Sequence, residues 1–374
     1  MRKTTYAISG LFLTRKTTGM ERYAIEVAKR LTQLVDEVHE RIVIVVPEGT
    51  AVSDDILRSH IVEYGRAGTG NLRGYLWEQI AFARYLRKYS DTGYLPLNFV
   101  PFAAPEVVVT IHDGNALTHP EYYPTFGKKM YRCLAIALLQ RAKRRARFIS
   151  TVSESSRREL VEDCGFPTSK VSVAFPGLDH ATSETTFASE SLLNVIGVRE
   201  ESDSSFYLAL SSATYNKNFE WVVEAALANA QETFVIAGGG DFRAMLKSLG
   251  YESVPPNIRY VGYVTNAERN WLYANCKAFI FPSRYEGFGL PPLEAAYFGA
   301  PIVSSPVPSM TENIDVLTFV DVESPPSNLE QYINHLDPER LKERYKWENT
   351  SNAILKLLRA ATSGAFAPAT RRPR

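Results

Sequence analysis

The chain has 374 residues, 45% hydrophobic and 22% charged, with 42 Lys and Arg against 41 Asp and Glu. That length predicts two domains, and the composition excludes disorder, a fibrous repeat and a surface tuned throughout to nucleic acid. Three scattered cysteines, Cys133, Cys164 and Cys276, exclude a disulfide scaffold and a four-ligand zinc site, and are expected to be buried thiols. The apolar run Tyr6-Ala7-Ile8 is too short for a signal peptide, and no later run approaches the ~20 residues of a spanning helix. The expected compartment is the reducing cytoplasm.

Short apolar runs alternate with stretches of helical period, the pattern of an α/β protein with mainly parallel sheets. In chain order the first half offers strands at Thr5–Gly10, Ile42–Pro47, Val107–Ile111 and Phe148–Val152, with helices at Glu21–Leu34, Leu76–Lys88 and Lys128–Ala146. From His180 to Ser205 the pattern weakens, and this stretch is read as the inter-domain connection. A second series follows: strands Phe206–Leu210, Thr233–Ala237, Ile258–Val261, Ala278–Pro282 and Pro301–Ser304, with helices Trp221–Ala230 and Ala267–Cys276. The expected architecture is two Rossmann-like, doubly wound domains facing across a cleft: an N-terminal acceptor-binding domain (1–185), a nucleotide-sugar-binding domain (200–345), and a C-terminal helix and tail (346–374) packing back toward the first. Ligands of such sheets bind beyond the carboxyl ends of the strands.

The strongest local signal runs from Ala278 to Ser304 and reads as strand, loop, helix, turn, strand. Its loop carries Glu286, Gly287, Phe288 and Gly289, and Pro291 and Pro292 suit the first turn of the next helix. Glycine permits close backbone approach, and the N–H groups of a helix N-terminus favour an anion such as a pyrophosphate. Glu286 and Glu294 flank that position and would accept hydrogen bonds from sugar hydroxyls. A plain turn with Glu294 as a helix-dipole residue is the competing reading.

The segment closely resembles the signature of the retaining GT-B nucleotide-sugar glycosyltransferases of family 4, in Pro282, Ser283, Glu286, Gly287, Phe288, Gly289, Leu290, Pro291, Glu294 and Ala295. The resemblance extends along nearly the whole chain: Val109-Thr-Ile-His-Asp113, the Thr151–Leu160 region, Val235-Ile-Ala-Gly238, Tyr260-Val-Gly-Tyr263 and Arg344-Tyr-Lys-Trp-Glu348. It implies that His112 and Glu286 act at the transferred hexose and that Glu294 grips the ribose. It also implies that the backbone at Phe288, Gly289 and Leu290, with Lys217 and Gly19, holds the donor phosphates. Two departures stand out. Asn216 occupies the arginine position of the family's Arg-Lys-Asn motif, removing a cation from leaving-group stabilisation, and Gly19 is the one glycine kept where the family often has two. Gly68–Gly74 resembles a dinucleotide fingerprint with a misplaced last interval and is read as a mobile loop.

Residues 127–148 hold eight Lys and Arg and no Asp or Glu. One reading is an amphipathic core helix ending in cations that suit its dipole. The other is a surface, 128–147, that docks on anionic lipid at the inner face of the plasma membrane.

The resemblance implies a retaining, metal-independent glycosyltransferase that moves a hexose from a GDP-, UDP- or dTDP-sugar to a glycan or lipid-linked saccharide in polysaccharide biosynthesis. No cofactor, metal or nucleic acid is expected. Phe288, Tyr122 and Tyr123 are candidates to lie beside sugars. An inactive partner subunit and a nucleotide-sugar epimerase on the same fold are the alternatives.

Overall fold

The computed structural model describes residues 2–67, 71–98, 100–101, 104–181, 186–198, 206–210, 214–312, 317–334 and 339–363. These form two compact units, one from the chain up to Gly177 together with the segment from Lys346, the other Leu178–Tyr345.

The first unit is built on strands β1 (Thr4–Ser9), β2 (Glu40–Val46), β3 (Ile61–Glu63), β4 (Thr92–Leu95), β5 (Val107–Thr110), β6 (Ala146–Thr151) and β7 (Val171–Val173). They pair in parallel in the order β3-β2-β1-β4-β5-β6-β7. Both faces of a parallel sheet are covered by helices, so its strands read as unbroken apolar runs. Ile42–Val46 and Val107–Val109 are almost wholly buried for this reason. The helix Gly19–Leu34 opens on a capping box between Thr18 and Glu21 and buries Tyr23, Val27 and Leu31. The helix Trp347–Ser363 packs in the same unit, with Trp347 edge-on to Tyr23 at 5.7 Å and Arg359 gripping Glu40 through two bonds of 2.8 and 2.6 Å.

The second unit holds β8 (Phe206–Leu210), β9 (Thr233–Ala237), β10 (Ile258–Gly262), β11 (Ala278–Phe281), β12 (Ile302–Ser304) and β13 (Thr318–Phe319), parallel in the order β10-β9-β8-β11-β12-β13. In each sheet the order reverses once, between β1 and β4 and between β8 and β11. At such a switch point the loops after neighbouring strands diverge and leave a crevice for ligand.

Several expectations change. β3, β4, β7 and β13, of two to four residues, are strands that the sequence did not mark. The stretch after His180 is more than a connection: the second unit begins at Leu178, and Ser189 caps a helix over Glu190–Ile196. Of the predicted loop Gly68–Gly74, residues 68–70 lie outside the described residues, and from Asn71 the chain is helical. The helix Phe126–Arg145 is only half a core helix. Leu138, Leu139 and Ala142 are buried near its basic end, whereas Phe126, Met130, Tyr131 and Leu134 are exposed. Cys133 shares that exposed half, contrary to the expectation of three buried thiols; Cys164 and Cys276 are buried.

Candidate active site

The loops after β8 and β11 meet at the second unit's switch point. After β8 comes the single turn Tyr215–Lys217, then Asn218 in the left-handed conformation (φ 54°) and the helix Phe219–Ala228. After β11 comes the loop with Glu286. The two loops are tied together by Arg284 N–H donating to Asn216 O at 2.8 Å. Lys217 Nζ reaches Glu286 Oε1 at 2.5 Å and lies 5.2 Å from the centre of the Phe281 ring. Ser309 Oγ–H donates to Glu286 O at 2.8 Å and holds the loop from beneath. The two charged side chains assigned to the donor sugar and phosphates are thus in direct contact.

Gly289, at φ +86°, caps the helix Leu290–Tyr297. A Cβ there would fall 2.1 Å from Met310 Cε, so both the backbone conformation and the packing demand glycine. Pro291 and Pro292 have no N–H, so the helix offers an anion the N–H groups just before them, at Gly289 and Leu290. Phe288 differs from expectation: its ring is buried, edge-on to Tyr345 at 5.4 Å, which leaves the backbone as its contribution to the site and removes it from the sugar-facing aromatics.

Glu294, one turn into that helix, is also buried. His180 Nε2–H donates to its Oε1 at 2.9 Å and Tyr273 O–H to its Oε2 at 3.3 Å, while Arg269 Nε stands 3.9 Å from Oε2. Burial, then the adjacent Glu294 charge, push the Tyr273 phenol well above its ordinary range, so it remains a donor. The sequence assigned His180 no role. Nothing local marks it, because its partner lies 114 positions away.

Asn216 leaves the place of an arginine unfilled, and Arg284 is the arginine bound to this segment. Its guanidinium is committed to Glu323 at 2.5 Å and to Asn218 Oδ1 at 2.8 Å, and it lies over the Tyr215 ring. It braces the two loops against each other. Its position directly after β11 and before Glu286 was the signal that could have found it.

His112 and Gly19 belong to the first unit. His112 follows β5, next to the loop after β4. Its backbone N–H donates to Asn98 Oδ1 at 2.9 Å, its Nε2–H to Pro96 O at 2.9 Å, and the Tyr23 ring meets it edge-on at 5.0 Å. Burial lowers its pKa to about 4, so the imidazole is neutral at physiological pH, with Nδ1 as its acceptor. Gly19 is the exposed first residue of its helix, beside the Thr18–Glu21 capping box. Tyr122 stacks on His119 at 4.8 Å, and Tyr123 donates to Asn115 Oδ1 at 2.6 Å. Among the described residues, no group of three or more His, Cys, Asp and Glu is placed to hold a metal ion.

Known proteins give this geometry a family. Residues 17–182 match the model described as Glycosyltransferase Family 4, and residues 206–336 match Glycosyl transferases group 1. The O-antigen chain mannosyltransferase B of Escherichia coli is 28% identical over 324 residues, 79% of this chain and 80% of that protein. The O-antigen chain mannosyltransferase RfbU of Salmonella typhimurium is 22% identical over 65% of each chain. Among solved structures, Anabaena HepE in complex with UDP and glucose superposes with a TM-score of 0.65 at 17% identity, over 96% of this chain and all of that one. The sucrose-phosphate synthase of Thermosynechococcus elongatus gives 0.69 at 16% identity, over 97% of this chain and all of that one. The chain belongs to glycosyltransferase family 4 (group 1) and is a glycosyltransferase with the GT-B fold.

Proposed function

We propose that the enzyme moves a hexose, with retention of anomeric configuration and without a metal ion, from a nucleoside diphosphate sugar to a saccharide hydroxyl during assembly of a surface polysaccharide. The observation that carries this reading is the Lys217–Glu286 contact beside the Gly289–Leu290 turn. A cation and backbone N–H groups suit a departing diphosphate, and a carboxylate beside them suits the hydroxyls of the sugar being transferred. Glu294 would receive the ribose hydroxyls. Neutral His112 would supply a hydrogen-bond acceptor at the sugar without adding charge. The O-antigen mannosyltransferases among the relatives support a mannose-like sugar and a polysaccharide acceptor. HepE's complexes with UDP and glucose support a nucleotide-sugar donor.

A thermal-shift panel of GDP-, UDP- and dTDP-hexoses, followed by a transfer assay with and without EDTA, tests the reading. One nucleotide sugar should raise the melting temperature, and its hexose should be transferred at an unchanged rate in chelator. Complete loss of transfer in EDTA, reversed by a divalent cation, would sink metal independence. Binding without transfer would favour the inactive-subunit alternative.

No helix among the described residues is long and apolar enough to cross a membrane. For peripheral contact the relevant feature is the stripe Phe126, Met130 and Leu134, one helical turn apart and exposed beside Lys128 and Lys129. Apolar side chains flanked by lysines suit insertion among anionic headgroups, and would bring the first unit to a lipid-linked acceptor. Sedimentation with anionic liposomes at low salt should pellet the protein, and Phe126→Ser with Met130→Ser should release it. Failure of the unmodified protein to pellet removes the membrane role.

A further inference from the structure

We propose that His180 is a positioning residue of the donor site: it fixes the orientation in which the Glu294 carboxylate meets the ribose diol of the nucleotide. The inference rests on the reading of Glu294 as the ribose-side carboxylate and adds the group that makes that carboxylate selective.

A buried carboxylate is costly unless its oxygens are met by donors. An ionised carboxylate offers about four lone-pair sites and accepts only, so the ring nitrogen 2.9 Å from Glu294 Oε1 carries its proton on Nε2. Two donors to Glu294 among the described residues come from separate segments, His180 from the turn where the chain enters the second unit and Tyr273 from the helix Asn266–Asn275. A donor on each oxygen opposes rotation of the carboxylate about its terminal bond and so fixes the direction in which it can accept from a ligand.

His180 is itself held. Leu178 N–H donates to Tyr345 O at 2.9 Å, and Ala181 N–H donates to Leu178 O at 3.0 Å. Asn270 Nδ2 reaches Ala181 O at 3.5 Å, from the helix that also carries Tyr273. The His180 side chain is 1% exposed, so it touches no ligand and acts through Glu294. A lysine at this position would place a full ammonium on the carboxylate and weaken its attraction for hydroxyl donors. An imidazole N–H orients the group with a single short bond in one fixed direction. Selectivity then follows, because a site built to hydrogen-bond a hydroxyl rejects the analogue that lacks it, its buried acceptor being left unmet.

The test is calorimetric titration of the full chain with GDP and UDP and with their 2′-deoxy counterparts. The unmodified enzyme should prefer the ribonucleotide by about 10-fold or more, the worth of one hydrogen bond to a charged group. His180→Ala should weaken ribonucleotide binding by a similar factor and leave the 2′-deoxy affinity nearly unchanged, collapsing the ratio toward one. His180→Gln, which keeps an N–H donor, should restore most of it. General loosening of the fold would lower both affinities together and preserve the ratio. Should His180→Ala fail to fold, Tyr273→Phe removes the longer bond and should reduce the ratio by a smaller factor. A folded His180 variant that keeps the full ribose preference overturns this inference alone. An unmodified enzyme that binds nucleoside diphosphates without preferring ribose, or binds none, overturns the ribose reading of Glu294 and this inference with it.

Discussion

Lys217→Ala and Glu286→Ala should each lower turnover by roughly 10²- to 10³-fold, about 3–4 kcal/mol of transition-state stabilisation, with little change in thermal stability. Lys217 Nζ and Glu286 Oε1 stand 2.5 Å apart at the β8/β11 switch point, on side chains largely out of solvent. Electrostatic stabilisation by preorganised groups costs no reorganisation during the reaction, and a partly dry site strengthens it. The two variants should differ in kind. Loss of the lysine should weaken binding of the free nucleoside diphosphate as well as turnover, because its charge is read against the phosphates. Loss of the glutamate should leave nucleoside diphosphate binding near normal and remove the added affinity supplied by the hexose. The double variant should be less impaired than the product of the two single effects, because each group positions the other. Steady-state kinetics with calorimetry on all three variants checks this, and near-normal turnover in both single variants would refute the site.

Glu78→Gln should stabilise the enzyme at alkaline pH. Glu78 is buried at the carboxyl end of β1, where Ser9 Oγ–H donates to its Oε1, and no described group partners Oε2. Burial raises its pKa from 4.5 to about 7, against smaller opposing effects from the Ser9 bond and the Arg15 charge. Burial, with the nearby Glu78 charge adding to it, pushes the Tyr75 phenol up to about 12. The folded protein therefore holds this proton more tightly than the unfolded chain. The contribution of Glu78 to stability is greatest below pH 4.5, falls as pH rises toward 7, and is flat above that. Glutamine has the same shape and no charge. The stability difference between variant and parent should therefore grow by about 2 kcal/mol from pH 5 to pH 8. This change with pH is the diagnostic, because any fixed cost of burying the amide N–H groups cancels from it. Urea denaturation at the two pH values measures it, and a difference independent of pH would show that Glu78 titrates normally.

Much of the local structure of the candidate donor site was legible because it is specified by near neighbours in the chain. The run from Pro282 to Ala295 contains a strand end, a glycine with positive φ, a helix start and two carboxylates, all specified by neighbours a few positions apart. His180 was illegible for the opposite reason. It sits in a stretch whose polar composition reads as linker, and its partner is reached only when the chain enters the second unit and folds against the helix Asn266–Asn275. Phe288 shows a third case. The motif made its ring a candidate to lie beside a sugar, but packing turns that ring inward to Tyr345.

The same division holds for the fold. Continuous apolar runs such as Ile42–Val46 and Val107–Val109 determine by themselves that the chain makes parallel sheets covered on both faces, since such strands are stable only when fully buried. Glycine and proline positions determine by themselves where the donor loop bends and where its helix starts. The order of the strands was decided by the tertiary structure, because the pairing of strands distant in the chain leaves no local mark in the sequence. That order places β8 beside β11 and so brings Lys217 to Glu286 across 69 positions. Backbone propensity and turn chemistry act over a few residues, whereas the charge pairs of the site depend on which strands become neighbours, and only burial of the whole sheet selects those.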